Sequence, residues 1–318
     1  MAGAYCGRVV SLGAHIVDIL GRPVTDIPPG QGRLLLDEIR ITAAGTAAGT
    51  SVDLVKLGAE VIAMGAIGDD MLADLLTSLM AGYGVQTRLR ARKPGLRTSA
   101  TILPIRPNGE RPALHMPGAT SSLSLDDVDL DTIASADVVG RFGGEPLAGV
   151  LRFAREHGLI TTADVLSRCD ATTWDRLQPA LAYVQYFLPN SDQLAGLTGT
   201  KDLTEAARMV LALGPEAVLV SRAADGAALV TAGQRADLPA FPVQVVDTTG
   251  CGDAVTAGFI TGLLHGWPIE EASWLGMAAA SLVAGGLGSD AGIVDYAGTV
   301  GVLASNAPSR VLARIGQG

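Results

Sequence analysis

VQVVDTTGCGDAVTAGFITGLL, residues 243–264, is the segment of this 318-residue chain that decides its fold and chemistry. The β-branched residues 243–246 predict a strand, and the apolar residues 254–264 predict a helix. Gly250 and Gly252 lie at the junction, where the missing side chains let backbone N–H groups approach a ligand. Free N–H groups at the start of a helix bind anions. The segment therefore predicts a phosphate-binding turn.

Asp253 follows this turn and lies in the first turn of the predicted helix. A carboxylate there can accept the proton of an attacking hydroxyl while the adjacent amides stabilise charge on a transferred phosphoryl group. Three alternatives remain open for the segment alone. Asp253 is a helix cap that complements the dipole, the turn binds a dinucleotide although Val255 fills the third small position, or Cys251 is a nucleophile without a neighbouring base.

Residues 247–259, DTTGCGDAVTAGF, resemble the C-terminal signature of the ribokinase, or PfkB, carbohydrate kinase family, whose usual form is DTTGAGDAF before a helix of small residues. Cys251 stands in place of the usual Ala, and Val255 in place of Phe. The resemblance implies an ATP-dependent kinase whose anion hole is formed by Gly250, Cys251 and Gly252. It also implies that Asp253 is the catalytic base and that Asp247 is a ligand of a monovalent cation, potassium.

Other motifs of this family occur in the family's order along nearly the whole chain. Residues 44–58 resemble its glycine-rich substrate segment, and residues 64–70, MGAIGDD, resemble its VGxVGDD motif. PNSDQLAGLTG, residues 189–199, resembles PNExEAxxLTG, and residues 286–292 resemble the C-terminal loop. The resemblance implies substrate contacts at Asp18, Gly45, Thr46 and Gly49. It implies nucleotide contacts at Asn190, Ser221, Gly226 and Gly288.

Two departures from the family pattern concern the site itself. Gly49 stands where the family often has Asn, which removes a polar contact to the substrate. Gln193 stands where the family has a Glu that organises magnesium-bound water, so a weak, water-mediated contact to Mg²⁺ is expected at most. These departures motivate an alternative function, a non-catalytic sugar or nucleotide sensor that kept the fold.

The acceptor hydroxyl is expected to belong to a sugar or sugar acid. Residues 18–42 and 98–116 contain no Phe, Tyr or Trp with which to stack a nucleobase. A nucleoside kinase of the same fold remains the alternative. Three cationic or titratable residues in the second segment either meet an anionic substrate or are solvated, namely Arg106, Arg111 and His115.

The remaining pattern predicts an α/β fold with a doubly wound, mostly parallel sheet flanked by helices. The predicted strands cover residues 8–12, 60–64, 137–139, 159–165, 183–188 and 217–221, and helical spacing covers residues 72–79, 146–157 and 203–213. We expect a single ribokinase-like domain, residues 1–318. A small β lid is expected from about 18–42 and 98–116, because Asn108-Gly109 is a strong hairpin signal.

Composition limits the partners and the compartment. The formal net charge is -9 and only three of the 23 basic residues are lysines, so nucleic acid is not expected. Three scattered cysteines and no secretion signal favour the cytoplasm. Residues 272–289 are uncharged but rich in small residues, which favours a buried helix over a membrane span. The dipeptide Gly-Lys is absent, which excludes a P-loop. A homodimer is left open.

Overall fold

The computed structural model describes residues 6–88, 91–142, 147–166 and 169–315. Its strands are β1 (Arg8–Gly13), β2 (Ile16–Arg22), β3 (Glu38–Ala44), β4 (Glu60–Met64), β5 (Ala66–Gly68), β6 (Gln86–Thr87), β7 (Ala91–Lys93), β8 (Ala100–Pro104), β9 (Leu114–Met116), β10 (Val138–Phe142), β11 (Ile160–Asp164), β12 (Tyr186–Phe187), β13 (Ala217–Ser221), β14 (Ala227–Thr231) and β15 (Arg235–Leu238).

The α-helices are α1 (Thr46–Lys56), α2 (Met71–Gly82), α3 (Leu130–Ala134), α4 (Ala148–Glu156), α5 (Ala171–Leu181), α6 (Ser191–Thr198), α7 (Leu203–Leu211), α8 (Cys251–Leu264), α9 (Ile269–Ala284), α10 (Tyr296–Asn306) and α11 (Ser309–Ile315). Short 3₁₀ helices cover Gly118–Ser122, Leu125–Asp127 and Ala223–Asp225. The first residue of the helix predicted over 146–157 lies outside the described residues.

A large sheet runs through the centre of the molecule. Over the described residues it has nine strands in the order β15-β14-β13-β12-β11-β10-β1-β4-β6. The pairs from β13 to β6 are parallel, and β14 and β15 add an antiparallel edge. Parallel strands buried on both faces read as apolar runs, and β4 and β13 match their predicted bounds. The predicted fold class, a mostly parallel α/β sheet flanked by helices, is confirmed.

A second sheet, called the small sheet below, has the described order β3-β2-β8-β9. It uses both segments in which a lid was expected. β8 pairs antiparallel with β9 from Ala100↔Met116 to Ile102↔Leu114, so the connection is longer than a two-residue hairpin. Gly109 has a φ of 83°, as the Asn-Gly turn requires. The role of this sheet as a lid and the single-domain boundaries stay predictions.

The uncharged residues 272–289 mostly form α9, which packs closely against α8. A Cβ at Gly258 would lie 2.7 Å from Cα of Gly276, and one at Gly262 would lie 2.6 Å from Cα of Ala272. The small residues are therefore needed for the two backbones to approach. In the parts of the chain that are described, no helix combines the length and apolar character needed to cross a membrane.

The strand predicted over residues 243–246 is wrong. This segment has no strand, and the N–H of Val246 instead donates to the carbonyl of Ala284 at the end of α9, at 2.8 Å. Val243 and Val245 are 39% and 55% exposed, so the β-branched run is not part of a buried sheet. The following helix begins at Cys251, three residues before its predicted start.

Candidate active site

A cleft of about 710 Å³ lies between the two sheets, at the carboxyl ends of the parallel strands. Open α/β sheets bind ligands at this edge. The predicted site residues that line the cleft are Asp18, Gly45, Thr46, Asn190, Gln193, Ser221, Gly250, Gly252 and Asp253. The others, which do not line it, are Gly49, Asp247, Cys251, Gly226 and Gly288.

Helix α8 begins at the wall of the cleft. Gly250 precedes it with a φ of 83°, and a Cβ there would lie 2.5 Å from Cα of Ser289, so only glycine fits. The first strong backbone bond of the helix is donated by Ala254 to the carbonyl of Gly250, at 2.8 Å. Within the described residues, the N–H groups of Gly250, Gly252 and Asp253 have no protein acceptor. These donors are therefore available to an anion.

The Asp253 carboxylate lies beside these amides. Withdrawal from solvent raises its pKa well above the ordinary range, and the carboxylates of Asp164, Asp53 and Asp18 add to the rise, while Arg111 opposes it. A carboxylate with a raised pKa is a stronger base than an exposed one, and general bases work best when their pKa is near the working pH. The site can therefore accept a proton next to backbone N–H groups that have no protein acceptor.

Gly49 and Cys251 lie behind the reactive groups. A Cβ at Gly49 would lie 2.3 Å from Oδ2 of Asp253, so a side chain there would collide with that carboxylate. The Cys251 thiol approaches the carbonyl of Ala280 at 3.7 Å, and burial raises its pKa to about 12. Since the thiolate is the nucleophilic form, this geometry does not favour a reactive cysteine. The dinucleotide alternative loses its premise as well, because no strand precedes Gly250.

Asp18 enters the cleft from β2 of the small sheet. It is 7% exposed, and burial raises its pKa to about 6, opposed by the Thr101 hydroxyl and the Arg111 guanidinium. The Thr101 hydroxyl is also 3.1 Å from Nδ1 of His115 on β9. β8 and β9 thus place polar groups around the Asp18 carboxylate. Such groups suit a polyhydroxylated ligand.

The predicted nucleotide residues lie at the ends of β12 and β13. Asn190 and Gln193 form a capping box at the start of α6, with N–H to oxygen distances of 2.9 and 2.8 Å. Nε2 of Gln193 also donates to the carbonyl of Val165 at 2.7 Å. Asn190 bridges to Ser221, whereas Gly226, with a φ of 82°, turns the chain before β14. Both the oxygen and the nitrogen of the Gln193 amide are thus hydrogen-bonded within the protein.

Asp247 and Gly288 connect the turn that precedes α8 with the loop that follows α9. Asp247 is 1% exposed, and its Oδ1 accepts from the N–H and hydroxyl of Thr249 at 3.0 and 2.8 Å. Its Oδ2 accepts from the N–H of Gly288 at 2.9 Å. The neighbouring Ser289 hydroxyl donates to the carbonyl of Ala43 in β3, at 3.1 Å. The Asp247 carboxylate therefore organises the backbone on which the start of α8 rests.

Arg141 and Asp164 are among the residues of the cleft wall that sequence reasoning missed. They are 4% and 5% exposed, and a guanidinium nitrogen of Arg141 donates to the carbonyl of Asp164 at 2.6 Å. Asp164 ends β11, and a carboxylate at the end of a predicted parallel strand was the available signal. Arg141 had no such signal, because an arginine inside a strand is ordinarily read as surface.

Comparisons with known proteins agree with this arrangement. A family model described as pfkB family carbohydrate kinase matches residues 7–295. A fructokinase of Klebsiella pneumoniae is 28% identical over 279 residues, which cover 82% of this chain and 86% of that protein. The crystal structure of ribokinase from Thermotoga maritima has a TM-score of 0.76 at 24% identity, covering 93% of this chain and 99% of the other.

A nucleoside kinase is also among the similar solved structures. The crystal structure of adenosine kinase from Sinorhizobium meliloti has a TM-score of 0.77 at 25% identity. The match covers 89% of this chain and 95% of that protein. Proteins of this fold thus include both sugar kinases and nucleoside kinases. The side chains that line the cleft, and not the fold, have to distinguish between these acceptors.

Proposed function

Since the chain belongs to the pfkB family of carbohydrate kinases and is a phosphotransferase acting on an alcohol group, we propose that it transfers the γ-phosphoryl group of ATP to a sugar or sugar acid. Asp253 is the general base in this proposal, and the unpaired amides at Gly250 and Gly252 form the anion hole, joined by that of Cys251, whose bond to the Thr248 carbonyl is long at 3.4 Å. The acceptor oxygen attacks phosphorus, its proton goes to Asp253, and ADP leaves with the electrons of the broken bond.

The observation that carries the proposal is the position of the Asp253 carboxylate beside backbone N–H groups that lack a protein acceptor. Donors fixed in this way stabilise charge that develops on a transferred group without reorganising. A pure sensor needs the anion site but not a basic carboxylate next to it. This pairing therefore favours a kinase over the sensor alternative.

The kinase family implies the use of ATP and Mg²⁺. Mg²⁺ keeps several waters and needs only one or two carboxylates besides the phosphates of its nucleotide. The cleft offers the Asp164 carboxylate for this demand, while the described residues contain no cluster of three or more His, Cys, Asp or Glu that could hold a metal unaided. When bound, the ion would neutralise charge on the phosphates. The contact of Gln193 to its water remains a proposal, and the capping role of the amide limits it.

For the acceptor we propose a sugar or sugar acid that contacts Asp18, Gly45 and Thr46. Among the described residues, no Phe, Tyr or Trp lines the cleft, which leaves a nucleobase without a stacking surface. The likeness to an adenosine kinase keeps a nucleoside as the second candidate. From the sequence we also propose a cytoplasmic location and no nucleic-acid partner. The sequence allows a homodimer.

An acceptor panel tests this proposal. Pentoses, hexoses, sugar acids, sugar phosphates and nucleosides are compared by ADP release, and a sugar or sugar acid is expected to have the highest kcat/KM. Asp18→Ala should then raise KM for that acceptor by about 10- to 100-fold and leave KM for ATP unchanged. The reason is the loss of a charged hydrogen-bond acceptor worth about 1.5 to 3 kcal/mol.

Asp37→Ala is the matched control for the panel. Asp37 is an exposed carboxylate beside the small sheet that does not line the cleft, so its loss should change neither KM. A nucleoside preferred by two orders of magnitude would contradict the acceptor class, and equal effects of Asp18→Ala on both substrates would make Asp18 structural.

Potassium is proposed as an activator because the Asp247 carboxylate is buried beside residues 286–292, where it accepts from the N–H of Gly288, and the carboxylate and the backbone carbonyls of this loop are oxygen ligands of the kind such an ion prefers. Within the described residues, the ion pair of Asp247 is a long one, 3.9 Å from its Oδ1 to Nε of Arg111, so a nearby cation would be favoured. Replacing potassium by tetramethylammonium at constant ionic strength is expected to lower kcat several-fold. Equal rates in both salts would reject the cation and leave the kinase proposal intact.

A further inference from the structure

Arg111 connects the small sheet with the start of α8. It lies between β8 and β9, yet its Nε is 3.4 Å from the Thr248 hydroxyl and 3.9 Å from Oδ1 of Asp247. Thr248 and Asp247 belong to the turn that precedes the anion site. A residue of the segment that joins β8 and β9 thus places its positive charge against the turn that precedes the proposed phosphate site.

These contacts leave most of the guanidinium available. The bond to Thr248 is at the long end of hydrogen-bond geometry, and Asp247 already accepts three stronger bonds. A guanidinium has five N–H donors, and over the described residues the four on its terminal nitrogens have no protein acceptor. The side chain is 37% exposed and lines the cleft, so a ligand can reach it.

The charges around the cleft explain why a cation is needed at this point. Asp18, Asp164 and Asp253 line the cleft, and each would repel an incoming phosphate. Arg141, a second cationic residue of the wall, already donates to the carbonyl of Asp164. Arg111 is placed between the acceptor side, where it acts on Asp18, and the start of α8, where it acts on Asp253.

We propose that Arg111 is a further catalytic residue, whose guanidinium contacts the transferred phosphoryl group. This inference rests on the proposed function. As the acceptor oxygen bonds to phosphorus and the bond to ADP breaks, negative charge spreads over the three equatorial oxygens. Planar N–H donors that match such oxygens stabilise this charge. Arg111 comes from the segment between β8 and β9, so this charge is brought to the start of α8 by the small sheet.

Arg106 provides a matched control on the same hairpin. Its guanidinium is 3.7 Å from the carboxylate of Glu110, and it lines a separate cavity with Arg22 and Glu38, at the end of β2 and the start of β3. Arg106→Gln removes the same charge from the same segment without reaching α8. Its kinetics should therefore stay close to those of the wild type.

The test compares Arg111→Gln, Arg111→Lys and Arg106→Gln with the wild type. Arg111→Gln is expected to lower kcat at least tenfold, with KM for the acceptor within twofold and the melting temperature unchanged, since Arg111 is exposed. Arg111→Lys should recover part of the loss. Calorimetry with ADP and with a non-hydrolysable ATP analogue should show that Arg111→Gln weakens the analogue at least threefold more than ADP.

Each contrary outcome overturns the inference without touching the proposed function. An unchanged kcat, an equal loss in Arg106→Gln, or a rise confined to KM of an anionic acceptor would remove Arg111 from phosphoryl transfer. If the wild type phosphorylates no acceptor, the proposed function fails. The binding data alone then test the role of Arg111. If Arg111→Gln leaves the ratio of ADP affinity to analogue affinity unchanged, its contact with the terminal phosphate is rejected.

Discussion

Replacing Asp253 by Asn is expected to lower kcat at least a hundredfold while ATP binding is retained. General-base assistance is typically worth about a hundred- to ten-thousand-fold in rate, or roughly 3 to 5 kcal/mol of barrier. The amide keeps the size of the carboxylate but cannot take the proton. Folding should not suffer, because a raised pKa means that the ionised group costs stability at neutral pH. The melting temperature should stay equal or rise slightly.

Asp295→Asn is the control for this experiment. Asp295 is an aspartate at the start of another helix, α10, where its carboxylate accepts from the N–H of Gly298 at 2.7 Å, remote from the cleft. Its replacement should leave kcat unchanged, since Asn caps helices as well as Asp. Should Asp253→Asn behave in the same way, Asp253 would be a helix residue only, and the sensor alternative would become the better account.

Replacing Gly252 by Ala is expected to lower kcat/KM about a hundredfold without loss of stability. A Cβ at Gly252 has no protein atom within 4 Å, and its backbone conformation suits any residue. Alanine is favoured over glycine inside helices by up to about 1 kcal/mol, so the fold should tolerate or gain from the change. The methyl group, however, enters the cleft at the free amides. The N–H remains, but the methyl group keeps the phosphate away from it. Loss of the contact to one such donor costs roughly a hundred- to a thousandfold in rate.

Gly301→Ala separates the two effects. Gly301 lies within α10, and a Cβ there also has no atom within 4 Å, but it does not line the cleft. It should show the same gain in thermal stability with unchanged kinetics. Full activity of Gly252→Ala would mean that the phosphate does not approach these amides, and the proposed anion hole would be rejected.

Much of the fold follows from local pattern. β4 and β13 have their predicted bounds because a buried parallel strand is a short apolar run between turn residues. β12, Tyr186–Phe187, is shorter than the predicted strand over 183–188. An apolar run indicates which residues are buried, but not how many of them form backbone hydrogen bonds with a neighbouring strand. Residues 243–246 have the same composition as a strand, but their neighbour in space is the end of α9.

The candidate site was only partly visible in the sequence. The substitution at Gln193 could be noted, but the pairing of its amide with Asn190 and Val165 depends on how α6 meets β11. The resemblance predicts Gly49 as a substrate residue that lacks the polar contact of Asn, whereas the structure places it outside the cleft lining and against the Asp253 carboxylate. Both differences arise because a residue type indicates which bonds a side chain can make, and packing decides which of them it makes.

By itself the sequence determined the mostly parallel α/β sheet and the glycine-rich turn that precedes Asp253, because hydrophobic periodicity and glycine spacing act over a few neighbouring residues, and the resemblance of its motifs indicated the family. Only the tertiary structure decided which distant groups surround that carboxylate. Asp18, Asp53 and Asp164 raise its pKa, and Arg111, from the segment between β8 and β9, opposes them. Burial and through-space charge depend on distances between segments far apart in the chain, and no local pattern contains those distances.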